Sequence, residues 1–400
     1  MLASSRMLRR SGMQPRVLNL AVAAWNRASP FSSSPYPPPS SSSSGNSEPP
    51  NKELKAPPKQ IAMPFMGQIK KARSAGNAIR VITKIERQGY HPDVFHYSAI
   101  ISKCAKDKLV DKALGLLKRM ISQGVAPNVF VFGAVIDAFA NAGQYKSAIS
   151  LLSDMQDKYG VEPNEKCFSS AISACEKGGA KYTNDALSLL DEAKSVGIKL
   201  DATIYSAAIS ACEKGGAKYT ETALALFHEM KMAGVKPNDV TYRATIQACF
   251  DSKRYPEALQ LARDAAKLPS RFVKDRPVHI KISTESGLPK WDLHLLTEAT
   301  ACMLLADALL SLVRSDGIPI SYQDIIVITG KGLGTIDPCG PVLREKVPSF
   351  LNDVAGLETT AIEGNEGRFL VTAASLEIWA ASGAYEKFKG LFRSRIVRIP

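Results

Sequence analysis

Histidine and paired cysteine are scarce in this 400-residue sequence, which has five histidines and seven cysteines. The cysteines stand singly at 104, 167, 175, 212, 249, 302 and 339, with no Cys-x-x-Cys spacing and an odd total. That excludes a disulfide framework and offers no zinc-ligand set, and it fits a reducing compartment. Long apolar runs are lacking too. The best of them, CMLLADALLSLV from Cys302, is broken by Asp307 and falls short of the ~20 residues a membrane-crossing helix needs, so no membrane partner is expected. No Gly-x-x-x-x-Gly-Lys-Ser/Thr occurs, and the glycine loop from Gly330 departs from Gly-x-Gly-x-x-Gly at Thr335, which removes both nucleotide-binding fingerprints. Acidic residues are outnumbered, 38 against 51 Lys/Arg, for a net charge of +13. Residues 1–59 hold eight Lys/Arg and two Glu, so +6 lies there and +7 on the rest. The rest is still basic, and a basic surface favours a polyanionic partner because each phosphate it neutralises releases condensed counterions.

Met1 to Pro30 carries five arginines and no acidic residue among small and apolar ones, the composition of a transit peptide. Arginine-rich amphipathicity suits a mitochondrion, and the serine-rich tract after it also suits a chloroplast. Pro35 to Pro58, with its PPP and SSSSS runs, has too few apolar residues to repay the entropy of ordering. Residues 1–59 are therefore expected to be a transit peptide and linker.

From residue 60 onward the chain is organised by self-similarity. AISACEKGGAKYT occurs at Ala171–Thr183 and again at Ala208–Thr220, an offset of 37. Five units close on GYHPD, GVAPN, GVEPN, GIKLD and GVKPN, ending at Asp93, Asn128, Asn164, Asp201 and Asn238. Each closing segment is followed by an aromatic early in the next first helix: Tyr97, Phe132, Phe168, Tyr205 and Tyr242. A period of 35 to 37 residues holds two helices of about a dozen residues, with Gly ending the second and Pro preventing its continuation. One hairpin cannot bury its apolar face, such as Ala113, Leu116, Leu117 and Met120, but stacked neighbours can. The expected fold over 60–270 is an α-solenoid.

These units resemble pentatricopeptide repeats, whose mark is the closing Pro-Asn/Asp followed by an aromatic. The extra residues of the 37-residue units fall at the turn Gly-Ala-Lys-Tyr-Thr. The resemblance implies single-stranded RNA as ligand, read at about one base per repeat by the fifth and closing residues. Here those pairs are Ser98 with Asn128, Gly133 with Asn164, Ser169 with Asp201, and Ser206 with Asn238. Ser with Asn implies adenine, Ser with Asp guanine, and Gly with Asn is undetermined, giving 5′-A-N-G-A-3′. Asn, Asp and Ser at such places also serve simply as helix caps. Four bases discriminate modestly, so a second RNA contact or a partner protein is implied, such as an RNA-processing or ribosome-associated protein.

Beyond Lys267 the period stops and strand-like segments alternate with helices, which argues a small α/β sandwich with a mostly parallel sheet over 288–382, after a linker at 271–287 and before a basic tail at 383–400. The strands read as Trp291–Leu296 and Asp324–Thr329, with further candidates near 357–362 and 369–371. Asp-Leu-His at Asp292–His294, Thr-Gly-Lys-Gly at Thr329–Gly332, PVLREKVPSFL from Pro341 and Asn-x-Gly-Arg at Asn365–Arg368 together resemble the Smr (small MutS-related) domain. Leu295 stands where that family usually has Gly. Asp292 and His294 alternate along a strand and face one side, where a carboxylate orients an imidazole. Gly330, Lys331 and Gly332 offer backbone amides and a cation to a phosphate, with Arg368 nearby in the motif order. Some Smr domains are endonucleases, which would make Asp292 and His294 catalytic; the binding-only reading treats them as a structural pair. No cofactor is expected, and a divalent cation enters only with cleavage. The implied roles are RNA binding for transcript processing, stability or translation, with guided RNA cleavage and a protein-binding scaffold as alternatives.

Overall fold

The structure, a computed structural model, describes residues 59–267, 281–283, 288–293, 296–313, 323–329, 340–362 and 367–393. The transit-peptide and linker expectation at 1–58 lies outside them, as do His294, Gly330, Lys331, Gly332 and Asn365. The chain divides into two compact units, Met1–Lys177 and Gly178–Pro400.

In the first unit, hairpins stack as the period requires. They are α1 (Lys59–Lys71) with α2 (Ala75–Arg87), α3 (Val94–Lys106) with α4 (Val110–Ser122), and α5 (Val129–Asn141) with α6 (Tyr145–Tyr159), followed by α7 (Glu165–Gly178). The unit before Asp93 is thus a whole hairpin. Apolar residues three and four apart, Ile100, Cys104, Leu117, Val135, Ile136, Leu151 and Met155, are fully buried between hairpins. All five closing glycines, 89, 124, 160, 197 and 234, take φ between +64 and +81, which only glycine adopts without a Cβ penalty. Arg119 of α4 pairs with Glu86 of α2, and Lys103 donates to the last carbonyls of α1, at Ala72 (2.9 Å) and Lys70 (3.3 Å), so neighbouring hairpins are also tied by charge at their ends.

The second unit continues with α8 (Thr183–Ser195), α9 (Ala202–Gly215), α10 (Thr220–Met232), α11 (Asp239–Asp251) and α12 (Tyr255–Ala266). Short 3₁₀ turns at Ala180–Tyr182 and Ala217–Tyr219 hold the additional residues of the duplicated 13-mer. They work as clamps. Thr183 donates to the Ala211 carbonyl (2.9 Å) and, one period on, Thr220 donates to the Ala248 carbonyl (3.2 Å), each tying the start of a second helix to the C-terminal part of the next first helix. Tyr219 donates to Asn184 (2.7 Å), and its ring covers Gly215, where a Cβ would come within 2.4 Å of it.

Five strands form one sheet of order β1-β2-β3-β5-β4: β1 (Lys281–Ser283), β2 (Lys290–Asp292), β3 (Ile325–Ile328), β4 (Thr360–Ala361) and β5 (Arg368–Val371). Only β2 and β3 pair in parallel; the other three pairings are antiparallel, so the sheet is mixed rather than mostly parallel. The physical reason is connectivity: one helix, α13 (Glu298–Ser311), crosses between β2 and β3, and β5 returns in the opposite sense. β1 lies inside the stretch expected as a linker and forms the sheet's edge. Trp291, Val327 and Phe369 are in register and buried, forming the inner row. α14 (Gly340–Ser349) contains Pro348 and passes into a wider turn at Phe350–Ala355, which Gly356 ends with φ +67. Helices α15 (Ala373–Ala381) and α16 (Gly383–Leu391) come last. The expected basic tail therefore begins as a packed helix: Tyr385 and Phe388 are buried against Trp379.

α13 is buried around nearly its whole circumference, from Ala299 to Ala306 without a break. It packs on α11 and α12 on one side and on α14 on the other. Among the described residues no helix is long and apolar enough to cross a membrane.

Candidate nucleic-acid interface

Each closing residue sits immediately before a first helix, and each caps it. Asp93 Oδ1 accepts from His96 N (3.0 Å), Asn128 Oδ1 from Phe130 N and Val131 N (3.1 Å each), and Asn164 Oδ1 from Cys167 N (3.1 Å). Asp201 Oδ1 accepts from Thr203 N (2.9 Å) and Ile204 N (2.8 Å), and Asn238 Oδ1 from Thr241 N (2.9 Å). Capping is thus a real role of all five, and it fixes their orientation. It also leaves something over. With Oδ1 occupied, each asparagine keeps its Nδ2 amide as a donor, whereas Asp201 keeps Oδ2 as an acceptor. The same backbone geometry therefore presents opposite hydrogen-bonding characters at Asn128, Asn164 and Asn238 on one hand and Asp201 on the other.

The fifth residues differ among themselves. Ser206 and Asn238 are brought together, Oγ to Oδ1 at 3.3 Å, but Ser206 is buried, donates to the Ala202 carbonyl (2.6 Å) and meets Thr241 Oγ1 at 2.8 Å. Its hydroxyl is spent on the helix and on Thr241, which itself donates to Asn238 (2.9 Å), so Ser206 steadies the asparagine more than it offers itself. Ser169 is buried as well, and it belongs to the first unit while Asp201 belongs to the second. Ser98 is half-exposed, and no hydrogen bond joins it to Asn128 among the described residues. Gly133 is buried; a Cβ there would touch Cys167 Sγ at 3.6 Å, ordinary contact, so the glycine is not demanded by crowding.

The early aromatics are core, as their spacing implies. Tyr97 donates to Gln123 (2.8 Å) and Tyr205 to Glu229 (2.9 Å), tying first helices to the ends of second ones, and burial pushes both phenols up to about 12. Sequence reasoning missed a different pair. Phe95 and Phe130, two residues past Asp93 and Asn128, are 68% and 67% exposed beside the capping groups. Lys166, Thr203 and Val240 hold the same register in the later units. The signal in the sequence is an aromatic at a fixed offset from the closing residue, and the core aromatics two positions further on mask it.

In the α/β segment, Asp292, Ile328 and Arg368 are register partners across β2, β3 and β5. They end the sheet on the face opposite the Trp291 row. At about 4.8 Å between strands, the backbones of Asp292 and Arg368 lie roughly 10 Å apart. Thr329 is buried, and its amide and hydroxyl both donate to the Gly367 carbonyl (2.9 and 3.3 Å), so the exit from β3 and the entry to β5 are pinned side by side. This is the carboxyl end of the parallel pair, the end at which open α/β sheets present ligand sites. Among the described residues no group of three or more His, Cys, Asp or Glu could hold a metal ion.

Residues 92–141, 127–177 and 204–251 match the PPR repeat family, and these stretches coincide with the helical hairpins described above. Among curated proteins none matches the chain. Half of this chain is similar to the pentatricopeptide repeat protein PPR10 in complex with an 18-nt psaJ RNA element, at 20% identity and a TM-score of 0.42, over 29% of that chain. The maize PPR10 structure is similar over 50% of this chain and 28% of its own, at 26% identity and a TM-score of 0.38. The PPR domain of Arabidopsis thaliana protein-only RNase P 1 in complex with tRNA is similar over 54% of this chain and 90% of its own, at 13% identity and a TM-score of 0.30. The chain thus spans less than a third of the PPR10 chains it matches.

Proposed function

We propose that this protein binds single-stranded RNA through its PPR repeats, with the site 5′-A-N-G-A-3′. The observation that carries the reading is the split character left by the caps. A free Asn Nδ2 donor suits the N1 acceptor of adenine, and a free Asp Oδ2 acceptor suits the N1–H of guanine, so Asn128 and Asn238 favour adenine and Asp201 guanine. Phe95 and Phe130 supply exposed π-faces at the start of the first helices that carry Ser98 and Gly133, where a base can stack whatever its identity. The basic balance of the chain supports the same partner.

We read the α/β segment as Smr-like and as a second RNA contact, with Arg368 holding phosphate and with Gly330, Lys331 and Gly332, outside the described residues, assigned to phosphate by the resemblance alone. The amino-terminal composition supports action on organellar transcripts, in a mitochondrion first and a chloroplast as the alternative. Replacing Phe95 and Phe130 together by Ala tests the stacking directly. Both rings are mostly exposed, so the unfolding midpoint stays within a degree or two while affinity falls, at about 1–3 kcal/mol per stacked base. Unchanged RNA affinity in the double variant would remove the stacking role.

A further inference from the structure

The last repeat does not end in solvent. Phe250, near the end of α11, and Tyr255, at the start of α12, face each other at 5.8 Å between ring centroids. Phe350 lies 6.1 Å from Phe250, and Phe392 lies 5.8 Å from Tyr255. Phe388 joins these rings from inside the α/β segment, 6.4 Å from Phe350 and 5.0 Å from Phe392. Arg263 of α12 and Asp307 of α13 form an ion pair at 2.6 Å. α13 lies along α11 and α12, where the first helix of one more repeat would stack, and its continuous burial shows that both of its faces are in use. An aromatic cluster, an ion pair and a helix buried from Ala299 to Ala306 together make a docked body; a tethered domain would show none of them.

We infer that the α/β segment is the terminal cap of the repeat array and that it places its RNA contact at one fixed spacing on the 3′ side of the adenine read by Asn238. The inference rests on the repeats being the RNA track. Asp292, Ile328 and Arg368 then form a station at a set distance from the last reader, within the same compact unit. A tether would sample a range of spacings, whereas a docked cap keeps one. The four-base site and the contact beyond it act as one longer recognition element with a gap of defined length.

Two measurements on the full chain separate the docking from the RNA reading. In hydrogen exchange without RNA, amides of α12 and α13 open together in the wild type. Phe250→Ala combined with Arg263→Glu speeds exchange in α13 and α16 at least tenfold, and adding Asp307→Lys to Arg263→Glu alone restores that variant toward wild type. Exchange in α13 and α16 that ignores these changes overturns the docking. In the second measurement, the probe is a synthetic RNA with AUGA between runs of uridine, crosslinked by ultraviolet light. Peptides of the α/β segment crosslink at one nucleotide spacing 3′ of the final A in the wild type and over several spacings in Phe250→Ala/Arg263→Glu. Scattered crosslinks in the wild type overturn the fixed spacing while the RNA reading stands. An absence of any binding to this RNA overturns the RNA reading and the spacing with it, with the docking judged by exchange alone.

Discussion

Replacing Asp201 by Asn changes one atom of the interface and leaves its scaffold alone. The Oδ1 that accepts from Thr203 N and Ile204 N at 2.9 and 2.8 Å is retained, and Asn caps a helix about as well as Asp. The cost in stability is the lost attraction of a carboxylate for the helix N-terminus, about 0.3–1 kcal/mol. What changes is the second atom, from the Oδ2 acceptor to an Nδ2 donor, so the third base of the site should switch from guanine toward adenine. A matched base contact is worth about 1–3 kcal/mol of discrimination, or roughly 5- to 150-fold in the ratio of affinities. The assay is fluorescence anisotropy at fixed ionic strength with two RNAs differing only at that base, AUGA and AUAA in a uridine background. The wild type prefers the first and Asp201→Asn the second. An unchanged ratio, with affinity and unfolding midpoint intact, would show that Asp201 is a cap and nothing more. Asp201→Ala should lose both the preference and about 1 kcal/mol of stability.

Two further outcomes concern the backbone and the buried acids. Lys108 and Lys253 take φ +56 at the turn between first and second helices, where Gly143 takes φ +76; replacing both lysines by Gly relieves the Cβ penalty against a smaller entropy cost. The double variant should gain about 0.5–1 kcal/mol per site and melt a few degrees higher, and a lower melting point would contradict the strain argument. Burial raises the thiols of Cys104 to about 11 and of Cys212 and Cys249 to about 12, and the phenols of Tyr97 and Tyr205 to about 12. These acids are neutral when protonated, and their folded values lie above the unfolded ones. The stability they lend is whole below pH ~9 and drains away as pH rises toward 12. The melting temperature should therefore fall steadily from pH 9 to 11, and a flat profile over that range would contradict their burial.

The repeats were legible because a hairpin that cannot bury its own face must repeat its pattern, and GVAPN, GVEPN and GVKPN mark each period with residues whose φ and capping needs are local. The α/β segment was legible as alternation but not in its strand directions. Strand sense depends on which edge a chain returns to, and nothing local in Arg368–Val371 records that β5 runs antiparallel to β3. β1 was hidden for a similar reason, since Lys281–Ser283 is a short edge strand defined by its partner. In the interface, spacing alone locates the closing residues, yet the use of Oδ1 for capping and the burial of Ser206 belong to the folded geometry. The docking of Phe350 and Phe392 on the last repeat joins residues about a hundred or more positions apart. No periodicity carries such a contact.

The most direct test of the account is the affinity of the purified full chain for single-stranded RNA carrying AUGA, measured beside its complement UCAU and over a range of salt. Binding to AUGA should be tighter by tenfold or more, with a log-log salt slope near −0.7 for each phosphate contacted. Equal affinity for the two RNAs would contradict base reading by the repeats, and no measurable binding to either would contradict RNA as the partner.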